Sequence, residues 1–179
     1  MNKDHIASIF AIIVIGSFLS FPWLLSIQET KLERTIDLPE LMVKKLPSDC
    51  ESLIMYVGYP GCQTECPLAL GKLAYLLEHK DINLKVNPKA NLKVCTVFFS
   101  LFANQQKMTE RYAKRYHHKI IGLSLSEDEK NSFLNILGND LRLSRQGTHT
   151  DYIYQFIRQG KDWILSGRSL AQYYEGKAP

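Results

Sequence analysis

The chain has 179 residues, of which 45% are hydrophobic and 22% are charged, and its formal net charge is +4. These fractions are typical of folded domains and exclude a disordered chain. The basic residues are spread along the sequence without the stripe of cations and aromatics that nucleic-acid binders show, so we expect no nucleic-acid partner. Four cysteines are too few for a fold built on disulfides.

An apolar segment lies near the N-terminus. Residues 6–27 contain no charged side chain over 22 positions, and as a helix they are about 33 Å long, enough for a hydrocarbon core of about 30 Å. The segment is longer than the core of a signal peptide, and no small-x-small cleavage site follows it. We therefore predict a retained membrane anchor over residues 1–27, a tether over 28–48 and a folded domain over 49–179.

Apolar runs bounded by glycine and proline alternate with leucines at helical spacing. We predict strands at 35–38, 52–57, 92–101, 120–125, 152–158 and 163–166, and helices at 67–79, 109–118, 126–137 and from Ser169 onwards. Thr109 suits a helix cap, Ser126 and Glu129 match a capping box, and Gly160 suits a hairpin turn.

The order of these elements predicts an α/β fold. Strands separated by helices imply right-handed parallel crossovers, and the hairpin near the end adds an antiparallel edge. We therefore expect a mixed sheet with helices on both faces, which is the thioredoxin-like plan.

Cys62 and Cys66 lie at the turn between the first buried strand and the following helix. Helical residues four apart share a face, so both sulfurs can point at one object. The N–H groups and dipole of a first helical turn stabilise anions, so we expect a lowered pKa for these thiols. Thiolates are soft ligands that select Cu(I), zinc or iron–sulfur clusters, but two of them make an incomplete site.

Histidine is the expected third ligand. His79 lies at the far end of the helix, and His117 and His118 lie at a helix end where we expect a solvated surface. His149 immediately precedes a predicted strand, and functional residues of α/β sheets gather at such strand ends. From the residues alone, His149 is equally well explained as a ligand or as an ordinary surface histidine.

The cysteine segment resembles the signature of the Sco/SenC family. Residues 57–67 read VGYPGCQTECP, similar to the family's strand followed by F-G-Y-T-x-C-P-x-x-C-P, and residues 148–150 read THT, similar to its D-H-S/T motif. The similarity extends from about residue 38 to about residue 165. It implies a thioredoxin-like domain behind an N-terminal anchor, with one copper ion, Cu(I) or Cu(II), held by Cys62, Cys66 and His149.

The resemblance also implies a role and a location. Sco/SenC proteins deliver copper to the cysteines of the binuclear copper site of cytochrome c oxidase, or keep those cysteines reduced. They work in the periplasm or the mitochondrial intermembrane space. We therefore expect a membrane-anchored copper chaperone whose partner is the copper-site subunit of the oxidase.

The sequence departs from the family pattern at three places. Gln63 replaces the proline after the first cysteine, Thr148 replaces the aspartate before the histidine, and residues 100–104 read SLFAN where the family has an acidic D-P-x-x-D stretch. The last two changes remove negative charge near the proposed site, so we expect a divergent member.

Two alternatives stay open from the sequence. The first is a metal-independent thiol–disulfide oxidoreductase of the cell envelope, in which Cys62 attacks and Cys66 resolves the mixed disulfide. The C-x-x-x-C spacing and the lack of a clear cis-proline opposite the motif count against it. The second alternative concerns Cys50 and Cys95, which we expect to be buried free cysteines. A disulfide between them would instead support an oxidising compartment.

Overall fold

The computed structural model describes residues 30–79, 92–138, 150 and 152–170. The strands are β1 (Thr30–Ile36), β2 (Ser52–Gly58), β3 (Val94–Ser100), β4 (Ile120–Ser124), β5 (Tyr152–Gln159) and β6 (Asp162–Leu170). The helices are α1 (Glu40–Lys45), α2 (Glu65–Glu78), α3 (Gln106–Lys114) and α4 (Glu127–Leu137).

The predicted membrane anchor, residues 1–27, lies outside the described residues, and so does His149. Within the described ranges, no helix is both long enough and apolar enough to cross a membrane.

The six strands form one mixed sheet in the order β1-β6-β5-β2-β3-β4. Strands β2, β3 and β4 run parallel to one another, while β5 and β6 pair antiparallel, as do β2 with β5 and β1 with β6. Every residue of the central strand β2 is buried, because helices cover both faces of the sheet, and this explains its continuous apolar run. The predicted parallel crossovers and closing hairpin are confirmed.

Alternate residues of β2 face two separate cores. Met55 and Val57 belong to the core that also contains residues of α1 and α4. Ile54 and Tyr56 belong to the opposite core, with residues of α2 and α3. Helices therefore cover both faces, and the predicted thioredoxin-like sheet is confirmed. The face that carries Tyr56 is also the face of Cys62 and Cys66.

Local signals with a complete motif are confirmed. The Ser126 hydroxyl accepts a hydrogen bond from the backbone N–H of Glu129, and the Glu129 carboxylate accepts one from the Ser126 N–H, which is a full capping box. Gly160 has a φ of 64° in the turn between β5 and β6, a conformation that glycine adopts without steric cost.

The Thr109 cap is wrong. Helix α3 begins at Gln106, and Thr109 lies inside it with its hydroxyl donating to the Gln105 carbonyl. At this residue α3 packs tightly on β4, where a Cβ added to Gly122 would lie 2.5 Å from the Thr109 carbonyl oxygen.

Two further elements differ from the sequence prediction. The predicted helix from Ser169 is wrong at its start, because Ser169 still belongs to β6, where it is buried and pairs with Ile153 of β5. In the predicted tether, the strand is β1 at Thr30–Ile36 instead of 35–38, and helix α1 follows it. The charged sequence of β1 carries a weak strand signal, since this strand lies at the sheet edge and is defined by its pairing with β6.

Cys50 and Cys95 form a disulfide, so the expectation of free cysteines is wrong. Their Cα atoms are 5.9 Å apart, within the usual range for a disulfide. Cys50 lies just before β2. Cys95 is the second residue of β3, where it pairs with Leu53 of β2. The bond therefore joins the starts of the parallel strands β2 and β3 at one end of the sheet.

We expect the double substitution Cys50→Ala and Cys95→Ala to lower the free energy of unfolding by about 2–4 kcal/mol. The disulfide restricts a segment of the unfolded chain with a sequence separation of 45 residues, and such loops give stabilisation of this order. Urea denaturation of the double variant measures the loss, and reduced wild-type protein is the control that should show the same loss. Equal stability of the oxidised wild type and the double variant contradicts the prediction.

Candidate functional site

The loop between β2 and α2 brings the two free cysteines to one point. Helix α2 begins at Glu65, so Cys66 lies in its first turn while Cys62 lies in the preceding loop. The predicted start at residue 67 is two residues late. Pro67 can lie inside the first turn because it has no N–H, and the N–H groups of a first turn have no partner within the helix. The idea of two cysteines on one helix face is therefore wrong, although both side chains belong to the same core.

Glycines shape this loop. Gly61 has a φ of 97°, which turns the chain in a conformation that other residues rarely adopt. The backbone N–H of Cys62 donates to the Tyr59 carbonyl at 3.3 Å across that turn. A Cβ added to Gly58, at the end of β2, would lie 2.6 Å from Cys66 Sγ. The strand end therefore passes directly against the Cys66 thiol.

The Cys62 thiol is biased towards thiolate. Burial by itself raises its pKa, but the backbone N–H groups of Cys66 and Thr64 and the side chains of both residues outweigh burial, and the pKa of Cys62 ends below its ordinary value. The Thr64 hydroxyl oxygen lies 3.9 Å from Cys62 Sγ. These N–H groups belong to the N-terminus of α2, so the predicted stabilisation of an anion there applies to Cys62.

The Cys66 thiol behaves in the opposite way. It is fully buried, and burial raises the pKa of Cys66 to about 12, with the neighbouring Cys62 sulfur adding to the increase. The expectation of a lowered pKa is wrong for this residue, because desolvation of a buried thiolate outweighs the helix N-terminus. The site thus pairs a thiol that ionises readily with one that keeps its proton.

Three tyrosines surround the cysteines, and the sequence analysis missed their contribution. The Tyr112 hydroxyl donates to the Cys62 carbonyl at 3.0 Å, which ties the loop to α3. Tyr56 is completely buried on the same face, and Tyr59 lies in the loop itself. Burial, together with the two sulfurs, raises the pKa of Tyr56, so its hydroxyl stays neutral. The available signal in the sequence is Tyr56, a tyrosine in an otherwise apolar strand, because a buried tyrosine hydroxyl usually needs a hydrogen-bond partner.

The segment after β3 replaces the family's acidic stretch with an aromatic contact. The ring of Phe102 lies 5.0 Å from that of Tyr59, and Phe102 remains 40% exposed. The backbone N–H of Leu101 donates to the Gly58 carbonyl at 2.7 Å, which holds this segment against the end of β2. The surface beside the cysteines is therefore apolar here.

The other histidines lie away from the cysteines. His79 follows the last residue of α2, and its Nδ1 is 2.8 Å from the Tyr75 carbonyl oxygen. His117 is buried, contrary to the expected solvated surface, with its Nε2 3.1 Å from the Glu78 carboxylate. The length of α2, about 20 Å, separates them from Cys66. In the part of the chain that the structure describes, no group of three or more His, Cys, Asp or Glu residues could hold a metal ion.

The chain just after His149 is tied to the same strand end as the cysteine loop. The backbone N–H of Thr150 donates to the Val57 carbonyl at 3.0 Å, one residue before Gly58. Thr150 is completely buried, and its hydroxyl accepts a hydrogen bond from the Tyr152 N–H. His149 itself lies outside the described residues, so its role as a ligand stays a prediction.

We expect Gly58→Ala to destabilise the reduced protein by about 1–3 kcal/mol, the usual cost of forcing extra atoms into a packed core. The new Cβ would press on Cys66 Sγ and lie 3.3 Å from the Phe98 ring. Gly71→Ala is the matched control, because a Cβ there meets nothing within 4 Å and alanine favours a helix. Thermal unfolding measures both variants, and equal stability of Gly58→Ala and wild type contradicts the close approach.

We expect iodoacetamide to modify Cys62 well before Cys66 in the folded, reduced protein. The lowered pKa of Cys62 gives it more thiolate at neutral pH, and the raised pKa of Cys66 keeps that thiol protonated. The rate at Cys62 should rise with pH and reach half its maximum at a lower pH than that of an ordinary exposed thiol, because the pKa of Cys62 is lowered. Peptide mass spectrometry follows both sites. Equal rates at the two cysteines contradict the asymmetry, and Cys62→Ser should remove the fast phase.

Neither a family model nor a curated protein matches the sequence. Among solved structures, yeast Sco1 is similar with a TM-score of 0.56 and 19% identity, over 82% of this chain and 92% of that one. Yeast Sco1 with copper bound has a TM-score of 0.54 and 18% identity, over 83% and 84% of the two chains.

A SCO1/SenC family lipoprotein from Bacillus anthracis has a TM-score of 0.51 and 14% identity, over 81% of this chain and 88% of that one. Structural similarity at such low identity concerns the fold. These structures support the Sco/SenC resemblance of the sequence, and the chain has the thioredoxin-like fold of the Sco1 proteins.

Proposed function

We propose that the chain is a divergent Sco/SenC-type copper chaperone that carries one copper ion on Cys62, Cys66 and His149. The observation that carries this proposal is the meeting of two free, buried thiols at the end of β2. The client is the copper-site subunit of cytochrome c oxidase, as the family resemblance implies. Copper is thus the cargo of this protein.

The donor atoms suit copper. Thiolate sulfur and imidazole nitrogen are both ligands that copper accepts, and soft sulfur favours Cu(I). Cys62 is already biased towards thiolate, whereas Cys66 has to lose its proton to the metal. Yeast Sco1, which has a similar fold, has a solved structure with copper bound.

The position of Thr150 supports His149 as the third ligand. The Thr150 N–H donates to the carbonyl of Val57, near the end of β2. The cysteine loop begins directly after this strand. Consecutive Cα atoms are 3.8 Å apart, so residue 149 is next to a residue anchored at this strand end. Chain connectivity therefore favours His149 over His79 and His117, which lie at the other end of α2.

Delivery is an exchange of ligands. The thiolates of the client replace those of Cys62 and Cys66 one at a time, so that copper is never released into solution. The apolar surface of Tyr59 and Phe102 beside the loop differs from the acidic stretch of the family and fits a divergent client surface.

The proposed location is outside a membrane, with residues 1–27 as the anchor and the folded domain in the periplasm or the intermembrane space. The disulfide between Cys50 and Cys95 supports this location, because such bonds persist in oxidising compartments. The similar Bacillus anthracis protein is a lipoprotein, which is also a membrane-attached form.

A second candidate function is thiol–disulfide exchange, and the unequal thiols favour it. The Cys62 thiolate attacks a client disulfide, one client sulfur leaves, and a mixed disulfide forms. Cys66 then loses its proton and attacks the Cys62 sulfur. The client leaves reduced by two electrons, and Cys62 and Cys66 leave as a disulfide.

We expect the purified, reduced protein to bind one copper ion per chain when titrated with Cu(I). Cys62→Ala and Cys66→Ala should abolish stoichiometric binding, and His149→Ala should weaken it by at least about tenfold, because each removes one ligand. Metal analysis after gel filtration and competition with a Cu(I) chelator measure the loss. His118→Ala is the matched histidine control and should bind as the wild type does.

One result would contradict the third ligand, and another would separate the two candidate functions. Unchanged Cu(I) affinity in His149→Ala removes the three-ligand site. Reduction of disulfide substrates by a wild-type protein that takes up no copper contradicts the chaperone and supports the oxidoreductase.

A further inference from the structure

Tyr56 lies in the middle of the central strand, and no described group meets its hydroxyl in hydrogen-bonding geometry. The residue is 0% exposed, and its ring stacks on Phe98 at 6.4 Å between centroids. Across the described residues, no donor or acceptor meets the Tyr56 hydroxyl in hydrogen-bonding geometry. An unpaired buried hydroxyl destabilises the folded state, and native structures rarely keep one without a reason.

Other buried tyrosines near the site do have partners. The Tyr112 hydroxyl donates to the Cys62 carbonyl at 3.0 Å. The Tyr154 hydroxyl lies 3.3 Å from the Thr150 hydroxyl. The fold thus satisfies hydroxyl groups on both sides of Tyr56, and Tyr56 is the exception among these three.

The group that faces the Tyr56 hydroxyl is the Cys66 thiol. The position of a Cβ on Gly58 would be 2.6 Å from Cys66 Sγ and 3.4 Å from Cε1 of Tyr56, so the ring edge and the sulfur lie at one spot. Burial raises the pKa of Tyr56 most, and the Cys66 side chain raises it further, by more than Cys62 does. With both thiols free, the Tyr56 hydroxyl and the Cys66 sulfur face each other without hydrogen-bonding geometry.

A protonated thiol is a weak acceptor, which explains why the contact is not a hydrogen bond in this state. A metal-bound thiolate carries negative charge and accepts hydrogen bonds more strongly. It would also be buried, where a charged group needs a donor. Tyr56 can supply that donor without moving far, because β3 and β5 hold its backbone on both sides.

We propose that Tyr56 is a positioning residue for copper, whose hydroxyl donates a hydrogen bond to the Cys66 sulfur when that sulfur is bound to the metal. The proposal rests on the proposed copper-binding function. It turns the contact between the Tyr56 hydroxyl and the Cys66 sulfur, which lacks hydrogen-bonding geometry, into a full hydrogen bond in the loaded protein. Groups that hydrogen-bond to metal ligands orient them and tune the metal. The hydroxyl thus destabilises the folded protein without copper and stabilises it when copper is bound.

Tyr56→Phe separates these two states, because it removes the hydroxyl and keeps the ring. In the reduced, metal-free protein, we expect the unfolding equilibrium constant to stay the same or fall, since an unsatisfied group is lost. We expect Cu(I) affinity to fall about tenfold, with one copper per chain still bound. In the Cu(II) form, the thiolate-to-copper absorption should move to longer wavelength, because the sulfur loses a donor.

Tyr154→Phe is the matched control in the metal-free stability measurement. Its hydroxyl has a partner, so its removal should raise the unfolding equilibrium constant about threefold to tenfold. Urea denaturation compares both variants with wild type, and chelator competition gives the copper affinities.

Each result decides the proposal. Wild-type Cu(I) affinity and an unshifted absorption band in Tyr56→Phe overturn it while the copper function stands. A rise in the unfolding constant of metal-free Tyr56→Phe that matches Tyr154→Phe also overturns it, since the hydroxyl would then be an ordinary structural group. If the wild type itself takes up no copper, the proposed function fails and this proposal fails with it.

Discussion

The site depends on a close approach between the end of β2 and the first turn of α2. Gly58 has no side chain, and this absence lets the Cys66 sulfur lie 2.6 Å from the position that a Cβ would take. The same strand end accepts the N–H of Thr150 at Val57 and holds Leu101 through the Gly58 carbonyl. Three distant parts of the chain therefore meet at this strand end, two through backbone hydrogen bonds and one through the room that Gly58 leaves.

Burial at this point has opposite consequences for the two thiols. Cys66 loses contact with water, and its thiolate becomes costly. Cys62 is buried as well, but N–H groups at the start of α2 face its sulfur and make the thiolate favourable. A soft metal would find one ligand ready and one that gives up its proton on binding. The same inequality suits an attacking and a resolving thiol, which is why copper binding and thiol exchange use the same pair.

The sheet keeps two kinds of sulfur chemistry apart. The bond between Cys50 and Cys95 lies where β2 and β3 begin, and the free pair lies where β2 ends. A strand of seven residues, about 23 Å long, separates the two ends. The disulfide can therefore stabilise the β2-α2-β3 unit while Cys62 and Cys66 stay reduced.

The sequence by itself determined the elements whose signals are local: the apolar run of β2, the capping box at Ser126, and the order of strands and helices that leads to a thioredoxin-like sheet. The motif around the cysteines also predicted the candidate site. Only the tertiary structure decided the edge strand β1, the pairing of Cys50 with Cys95, and the unequal thiols. The reason is physical: pairing, disulfide formation and desolvation depend on residues distant in the chain, which the local pattern does not contain.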